Sequence, residues 1–398
     1  MIHLERESRF FKLNRILLLA IGLWPNQQTT FSRIQFFLFS IILLTSLLFQ
    51  YTPLISQRCT PDFAKILSSA TFFSLFVIKY ILFSVNMENM KDLLEQLQLI
   101  CNELKDENEF DIINEYECSA TRLTAALTIC SISGIFILAV TQFWSNILDI
   151  ILPINASRPY YIPLQVEYFI DQEKYSSWIL LHISVAFLVG IIAMVGIGTT
   201  IIAYLQYTCG MFKIASYRIE LAMSNNMLQN SNVKNKFSIL EGLIWAVDIH
   251  RQAMNLSTNI QLNIEPMVCC LIIFGVASMS LNMYQIFQII SADDISLYNV
   301  KELIIPLLYA IIIFLYMLLS NCIGQYITDH NRDIFVTVYN VQWYIAPLYI
   351  QKIILFLLQR KSRDFVLNYA GLFVISLEFF ATLVKVSVSY FTVIYSVQ

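Results

Sequence analysis

Seven stretches of this chain are long enough, and poor enough in charge, to cross a lipid bilayer. Residues 34–57, 123–148, 175–212, 266–292 and 303–328 contain no Asp, Glu, Lys or Arg; residues 66–87 contain only Lys79, and residues 365–390 only Glu378 and Lys385. A helix needs about 20 apolar residues to span the hydrocarbon, because lipid leaves every backbone amide to be hydrogen-bonded within its own segment. The runs are too long for barrel strands and lack their period-two alternation. The expected fold class is therefore all-α, a bundle of seven transmembrane helices. Composition agrees: 57% of the 398 residues are hydrophobic and 13% charged, about half the charge of an ordinary soluble domain. A net charge of −3 without a basic tract gives nucleic acid nothing to bind. Eight cysteines without a CxxC spacing indicate neither a metal site nor a disulfide framework, and no cofactor is expected.

The basic residues set an orientation. Alternate connections carry very different numbers of Lys and Arg: Arg58, Lys65, Arg158, Lys174 and Lys301 make five on one side, Lys79 and Lys385 lie within helices, and the remaining 18 of the 25 fall on the other side. Basic residues concentrate on the cytoplasmic side, so the N-terminus is expected in the cytoplasm and the C-terminus outside. Asn155-Ala156-Ser157, a glycosylation sequon, then falls in an outer loop; a second sequon at Asn255-Leu256-Ser257 falls inside. The short apolar stretch from Ile16 to Trp24 ends at Pro25. It is too short to span and reads as an amphipathic helix at the inner membrane surface.

The connections on the basic side are long and helix-like. Residues 175–212 would reach about 57 Å as one helix, nearly twice the roughly 30 Å of hydrocarbon, so the fourth helix is expected to continue into the cytoplasm. Met90, Leu93, Leu94, Leu97 and Ile100 recur at helical spacing after the second. Long cytoplasmic helix extensions follow, either bundled beneath the membrane or lying as separate surface helices.

The seventh segment is the least apolar, and its polar residues are ordered. Glu378, Thr382, Lys385, Ser389 and Ser396 follow steps of 4, 3, 4 and 7, with Val393 filling the gap at the same spacing. They form one stripe along one helix face. Ionisable groups at bilayer depth are costly and face a bundle interior or water. Hydroxyls, charges and one hydrophobic constriction suit an ion path with a dewetting gate. On pattern alone a polar seam packed against neighbouring helices fits equally well.

The C-terminal motifs then point to a family. Tyr339-x3-Trp343, Gln359-Arg360, Ala370-Gly371, Ser376-Leu377-Glu378-x-Phe380 and Ser389-Tyr390-Phe391-Thr392-Val393 together resemble the signature of insect odorant receptors. Gly22-Leu23-Trp24-Pro25 resembles the same family's N-terminal motif, Gln206–Phe212 with Tyr217-Arg218-Ile219-Glu220 is similar to the end of the fourth helix in receptors of ants, bees and wasps, and His250 fits a cytoplasmic His before the fifth. The resemblance implies a ligand-gated, non-selective cation channel subunit in the plasma membrane of olfactory sensory neurons, assembled as a heterotetramer with the co-receptor Orco. It implies that the last helix lines the pore, with Val393 as the gate, Ser396 at its outer mouth, and Ser389, Lys385, Thr382 and Glu378 along the path. The segment before it would anchor the subunits through Tyr339, Trp343, Gln359 and Arg360. The chain then divides into an N-terminal cytoplasmic segment with its interfacial helix (1–33), six helices holding the ligand pocket (34–338), the anchor (339–364) and the pore-lining helix (365–398).

The same resemblance places a pocket for a small, volatile or lipid-like odorant in the outer half, among the second to sixth helices. Candidates there are Phe72, Phe73, Phe76 and Tyr80 on the second, Ser131 and Gly134 on the third, His182 and Phe187 on the fourth, and Tyr309 on the sixth. Phe72 and Phe73 are adjacent and point apart, so both cannot face one cavity fully. Lys79 is expected to snorkel or to pair. A G-protein-coupled receptor would need the opposite orientation, and the chain has neither DRY nor NPxxY; a gustatory receptor would end on Thr-Tyr and Gln-Phe, whereas Ser389-Tyr390 is followed here by Ser396-Val397. Helices with HExxH, GxSxG or paired breaks, which an enzyme or transporter would need, are absent.

Overall fold

The computed structural model describes residues 11–27, 29–56, 63–104, 106–142, 166–224, 233–291, 297–360, 367–369, 371 and 373–397. In chain order the elements are α1 (Lys12–Ala20), α2 (Thr30–Ser56), α3 (Phe63–Val85), α4 (Met87–Glu103), α5 (Glu107–Gln142), α6 (Gln172–Ala222), α7 (Val233–Ile290), α8 (Leu297–Asn340), a 3-10 turn (Trp343–Ile345), α9 (Leu348–Arg360), β1 (Asn368–Tyr369), β2 (Phe373–Val374) and α10 (Leu377–Val397). Seven of these, α2, α3, α5, α6, α7, α8 and α10, are long and apolar enough to cross a membrane.

The central element is α6, which packs against α1, α2, α3, α5, α7 and α8. Its 51 residues contain no proline, so nothing in the sequence interrupts the helical hydrogen bonding. At about 1.5 Å per residue it far exceeds the hydrocarbon thickness. The helices α5, α7 and α8 are also long, at 36, 58 and 44 residues. Their extensions form one bundle rather than separate surface helices. Met90, Leu93, Leu94 and Leu97 of α4 are buried, and the hydroxyls of Tyr204 and Tyr207 donate to the Met90 and Leu97 carbonyls at 3.4 and 3.3 Å. Arg218 on α6 holds both carboxylate oxygens of Glu109 on α5, its Nη2 at 2.9 Å from Oε2.

The short helix α1 packs one face, with Asn14 and Leu18, against the bundle. Leu18, Ile21 and Leu23 are fully buried. Asn14, also buried, donates from Nδ2 to Thr199 Oγ1 on α6 at 2.9 Å, and the Tyr80 hydroxyl donates to the Ile21 carbonyl at 2.9 Å.

The last helix begins later than its charge-poor run suggests. Asn368–Tyr369 and Phe373–Val374 instead pair as two short antiparallel strands, Asn368 opposite Val374 and Tyr369 opposite Phe373. Gly371 makes the turn with φ +68°, in the left-handed region that a Cβ disfavours. Ser376 then accepts the Phe379 amide at its side-chain oxygen, 3.1 Å away, satisfying one of the free donors at the start of α10.

Candidate functional site

Five aromatic rings gather where α3, α6 and α8 meet. Phe72, Phe73, Phe76, Phe187 and Tyr309 are all at most 5% exposed. Phe72 and Phe76 lie one turn apart on the same face of α3. Phe72 stacks on Tyr309 with centroids 3.9 Å apart and planes 7° from parallel, and Phe73 meets Phe187 edge-on at 4.5 Å. Phe76 packs closely against α6 at Gly190: a Cβ there would sit 2.3 Å from the ring. The Tyr309 hydroxyl is buried with no hydrogen-bond partner among the described residues. An unsatisfied buried polar group costs roughly 1–3 kcal/mol.

A cavity opens beside these rings. It is lined by Phe72, Leu75 and Phe76 of α3, Met194 of α6, Leu271 and Gly275 of α7, and Ile312, Ile313, Tyr316 and Met317 of α8. Its volume is about 20 Å³, room for about one water molecule. A larger ligand has to displace side chains. The two methionines are suited to that, being unbranched and readily re-packed.

A second feature lies on α10. Glu378, Thr382, Lys385, Ser389, Val393 and Ser396 are all exposed in the protomer, Val393 to 56%. The opposite face of α10, with Leu383 and Ser387 buried, packs on α7 and α8. Ser280 donates to the Ser387 carbonyl at 2.9 Å, while Phe287 meets Phe391 and Tyr395 at 5.9 and 5.0 Å. The hydroxyls of Thr382, Ser389 and Ser396 bond to carbonyls of their own helix at 2.9–3.1 Å. Glu378 and Lys385 form no ion pair among the described residues.

The sequence profile of the family described as "7tm Odorant receptor" matches residues 60–388. The chain belongs to the 7tm odorant receptor family. Its fold is that of an insect olfactory receptor. The structure of the insect olfactory receptor OR5 from Machilis hrabei in complex with eugenol is 16% identical, with 100% of both chains covered and a TM-score of 0.77. Another structure of OR5 from the same insect is 17% identical, covering 100% of this chain and 99% of the other at a TM-score of 0.75. No curated protein sequence matches the receptor.

Within the receptor, the residues singled out in the sequence separate into groups. Phe72, Phe73, Phe76, Phe187 and Tyr309 come together, and of these Phe72 and Phe76 line the cavity while Phe73 turns to α6. Tyr80 is not among them. Its ring stacks on Phe36 at 5.5 Å and its hydroxyl is engaged by Ile21. His182 belongs to a different cluster, its nitrogens 3.1 Å from Thr45 Oγ1 and 2.7 Å from the Tyr168 hydroxyl. Ser131 and Gly134 lie on a stretch of α5 whose neighbours Ile132 and Phe136 are exposed, and neither lines the cavity. The side chain of Ser131 bonds back to the Leu127 carbonyl at 2.7 Å. Lys79 does not snorkel: it is fully buried.

In the segment before α10, Tyr339 and Gln359 are exposed, and Trp343 is half-buried. Arg360 ends α9, and its side chain lies outside the described residues, as does Asn155. Along α9, Ile350 and Ile354 are buried, whereas Leu355 and Phe356 are 58% and 69% exposed.

Sequence reasoning did not single out the cavity residues on α7 or Tyr316. Tyr316 lies seven residues after Tyr309, two turns along the same face of α8, and that spacing was the available signal.

Proposed function

We propose that the receptor is a subunit of an odorant-gated, non-selective cation channel. It assembles with the co-receptor Orco as a heterotetramer in the plasma membrane of olfactory sensory neurons, with its N-terminus cytoplasmic. One observation carries the reading most directly: Glu378, Thr382, Lys385, Ser389 and Ser396 share an exposed face of a membrane-length helix. A charged side chain facing lipid at the centre of a helix costs about 2.5–3.5 kcal/mol. Such a face is stable against water shared with other subunits. Val393, the one apolar side chain along the stripe, suits a gate that closes by dewetting. Exposed Tyr339, Leu355 and Phe356 give the anchoring segment 339–364 an apolar surface to bury on assembly.

The ligand site is the cavity between α3, α6, α7 and α8, where a small hydrophobic odorant is held by burial at about 25 cal/mol per Å². Its entry displaces rings already in contact with Tyr309 and Phe187. The experiment is co-expression with and without Orco, recording currents over an odorant panel. Odorant-evoked cation current that requires the co-receptor supports the reading; its absence from every combination overturns it. An epitope after Gln398 that labels intact cells supports the orientation, and one reached only after permeabilisation reverses it.

A further inference from the structure

The cavity has a polar end that an apolar odorant pocket does not need. Lys79 lies in the C-terminal third of α3, 0% exposed. Its Nζ donates to the Met194 carbonyl at 2.9 Å and to the Tyr316 hydroxyl at 3.2 Å, and it stands 4.3 Å from the centre of the Tyr316 ring. Met194 and Tyr316 both line the cavity, so the ammonium sits directly behind its wall. Space for it is left by Gly198 of α6, where a Cβ would lie 3.0 Å from Nζ.

The hydrogen bonding there is incomplete. An ammonium has three N–H donors, and a tyrosine hydroxyl that accepts one bond still has its own proton to give. Among the described residues two acceptors are supplied, both to Lys79, and no acceptor faces the Tyr316 proton. No described carboxylate pairs with Lys79 either. A buried cation without a counter-charge is expensive, and the cation–π contact with Tyr316 offsets only part of that cost. The remaining wall, from Phe72, Leu75 and Phe76 to Leu271 and Ile313, is apolar.

We infer that the cavity takes an aliphatic ligand ending in a carboxylate, whose head accepts from the free N–H of Lys79 and from the Tyr316 hydroxyl. This assignment rests on the cavity being the ligand site proposed above. The tail then lies among the phenylalanines and aliphatic residues, and Met194 and Met317 shift to admit it. The head supplies the charge that the protomer lacks.

The test compares head groups on one chain length. Purified receptor in lipid nanodiscs is loaded with the hydrophobic fluorophore 1-aminoanthracene, which is then displaced by decanoate, methyl decanoate or 1-decanol, with empty nanodiscs correcting for partition into lipid. Decanoate is expected to displace the fluorophore at concentrations about tenfold lower than the two neutral compounds, the size of a modest buried charge-pair coupling. Lys79→Met is expected to abolish that preference while retaining 1-decanol binding, and Lys79→Arg to retain most of it. Equal displacement by all three ligands on the unaltered receptor overturns the head-group assignment and leaves the cavity as an odorant site. Displacement by none of them overturns the cavity as the ligand site. A decanoate preference that persists in Lys79→Met places the head elsewhere and also overturns the inference. Should Lys79→Met fail to fold, the head-group comparison on the unaltered receptor still decides.

Discussion

Two membrane-length helices of this receptor each carry a lysine within their span, Lys79 in α3 and Lys385 in α10, and they treat it in opposite ways. In α3, 78% of the most apolar window is buried, and Lys79 is enclosed between a carbonyl of α6 and a phenol of α8. In α10 only 11% is buried, and Lys385 faces outward with Glu378 on the same stripe. Exposure alone does not account for α10, because α5 is also 11% buried. What α5 exposes is Ile129, Ile132, Phe136 and Ile137, a surface that lipid accepts at no cost. The protomer is thus finished around α3, satisfied by lipid along α5, and unfinished along α10. In the function proposed above, ligand binding belongs to the first region and conduction to the last.

That division can be broken by experiment. If α9 and α10 form surfaces between subunits, Leu355→Asp combined with Phe356→Asp should abolish recovery of the receptor with its co-receptor while leaving the protomer expressed; co-purification decides this, and an intact complex would put the missing partner elsewhere. Val393→Ser should raise ligand-free current about tenfold or more, since a hydroxyl wets a constriction that an isopropyl group keeps dry. An unchanged basal current would move the gate.

Substitutions around α3 should act on the protomer itself. Gly190→Leu forces the Phe76 ring away from α6, and overpacking of this kind costs about 1–3 kcal/mol, read as a lower thermal midpoint of the purified receptor with assembly retained. The smallest effect should be a gain: Tyr309→Phe removes a buried hydroxyl that has no partner among the described residues and should stabilise the ligand-free receptor by up to about 1 kcal/mol. A loss of stability would mean that the hydroxyl is satisfied in the membrane.

The parts of this arrangement that were legible in the sequence depend on local pattern. Missing charge marks the spanning helices one at a time, and the steps from Glu378 to Ser396 define a face whatever surrounds it. The cavity depends on which helices meet, and no periodicity reports that. Leu271 and Gly275 belong to the site only because α7 packs on α3. Tyr80 has the same aromatic character as Phe76, yet one turn along the helix its hydroxyl finds the Ile21 carbonyl of the N-terminal segment. Lys79 looked able to reach an interface because long side chains usually can; the Met194 carbonyl and Tyr316 give it a nearer partner. The strand pair before α10 is concealed by its own apolarity, since a charge-free run reads as helix unless Gly371 and the capping serine at 376 are given weight.

The uninterrupted course of α6 has a mechanical consequence. Phe187 touches the ring cluster, and Arg218, 31 residues further along, clamps α5. At about 1.5 Å per residue these points are roughly 46 Å apart on one rod. A tilt of about three degrees as the rings part would swing the far end by about 2 Å. If the ring cluster borders the ligand site proposed above, small displacements there would arrive enlarged where the helix extensions meet.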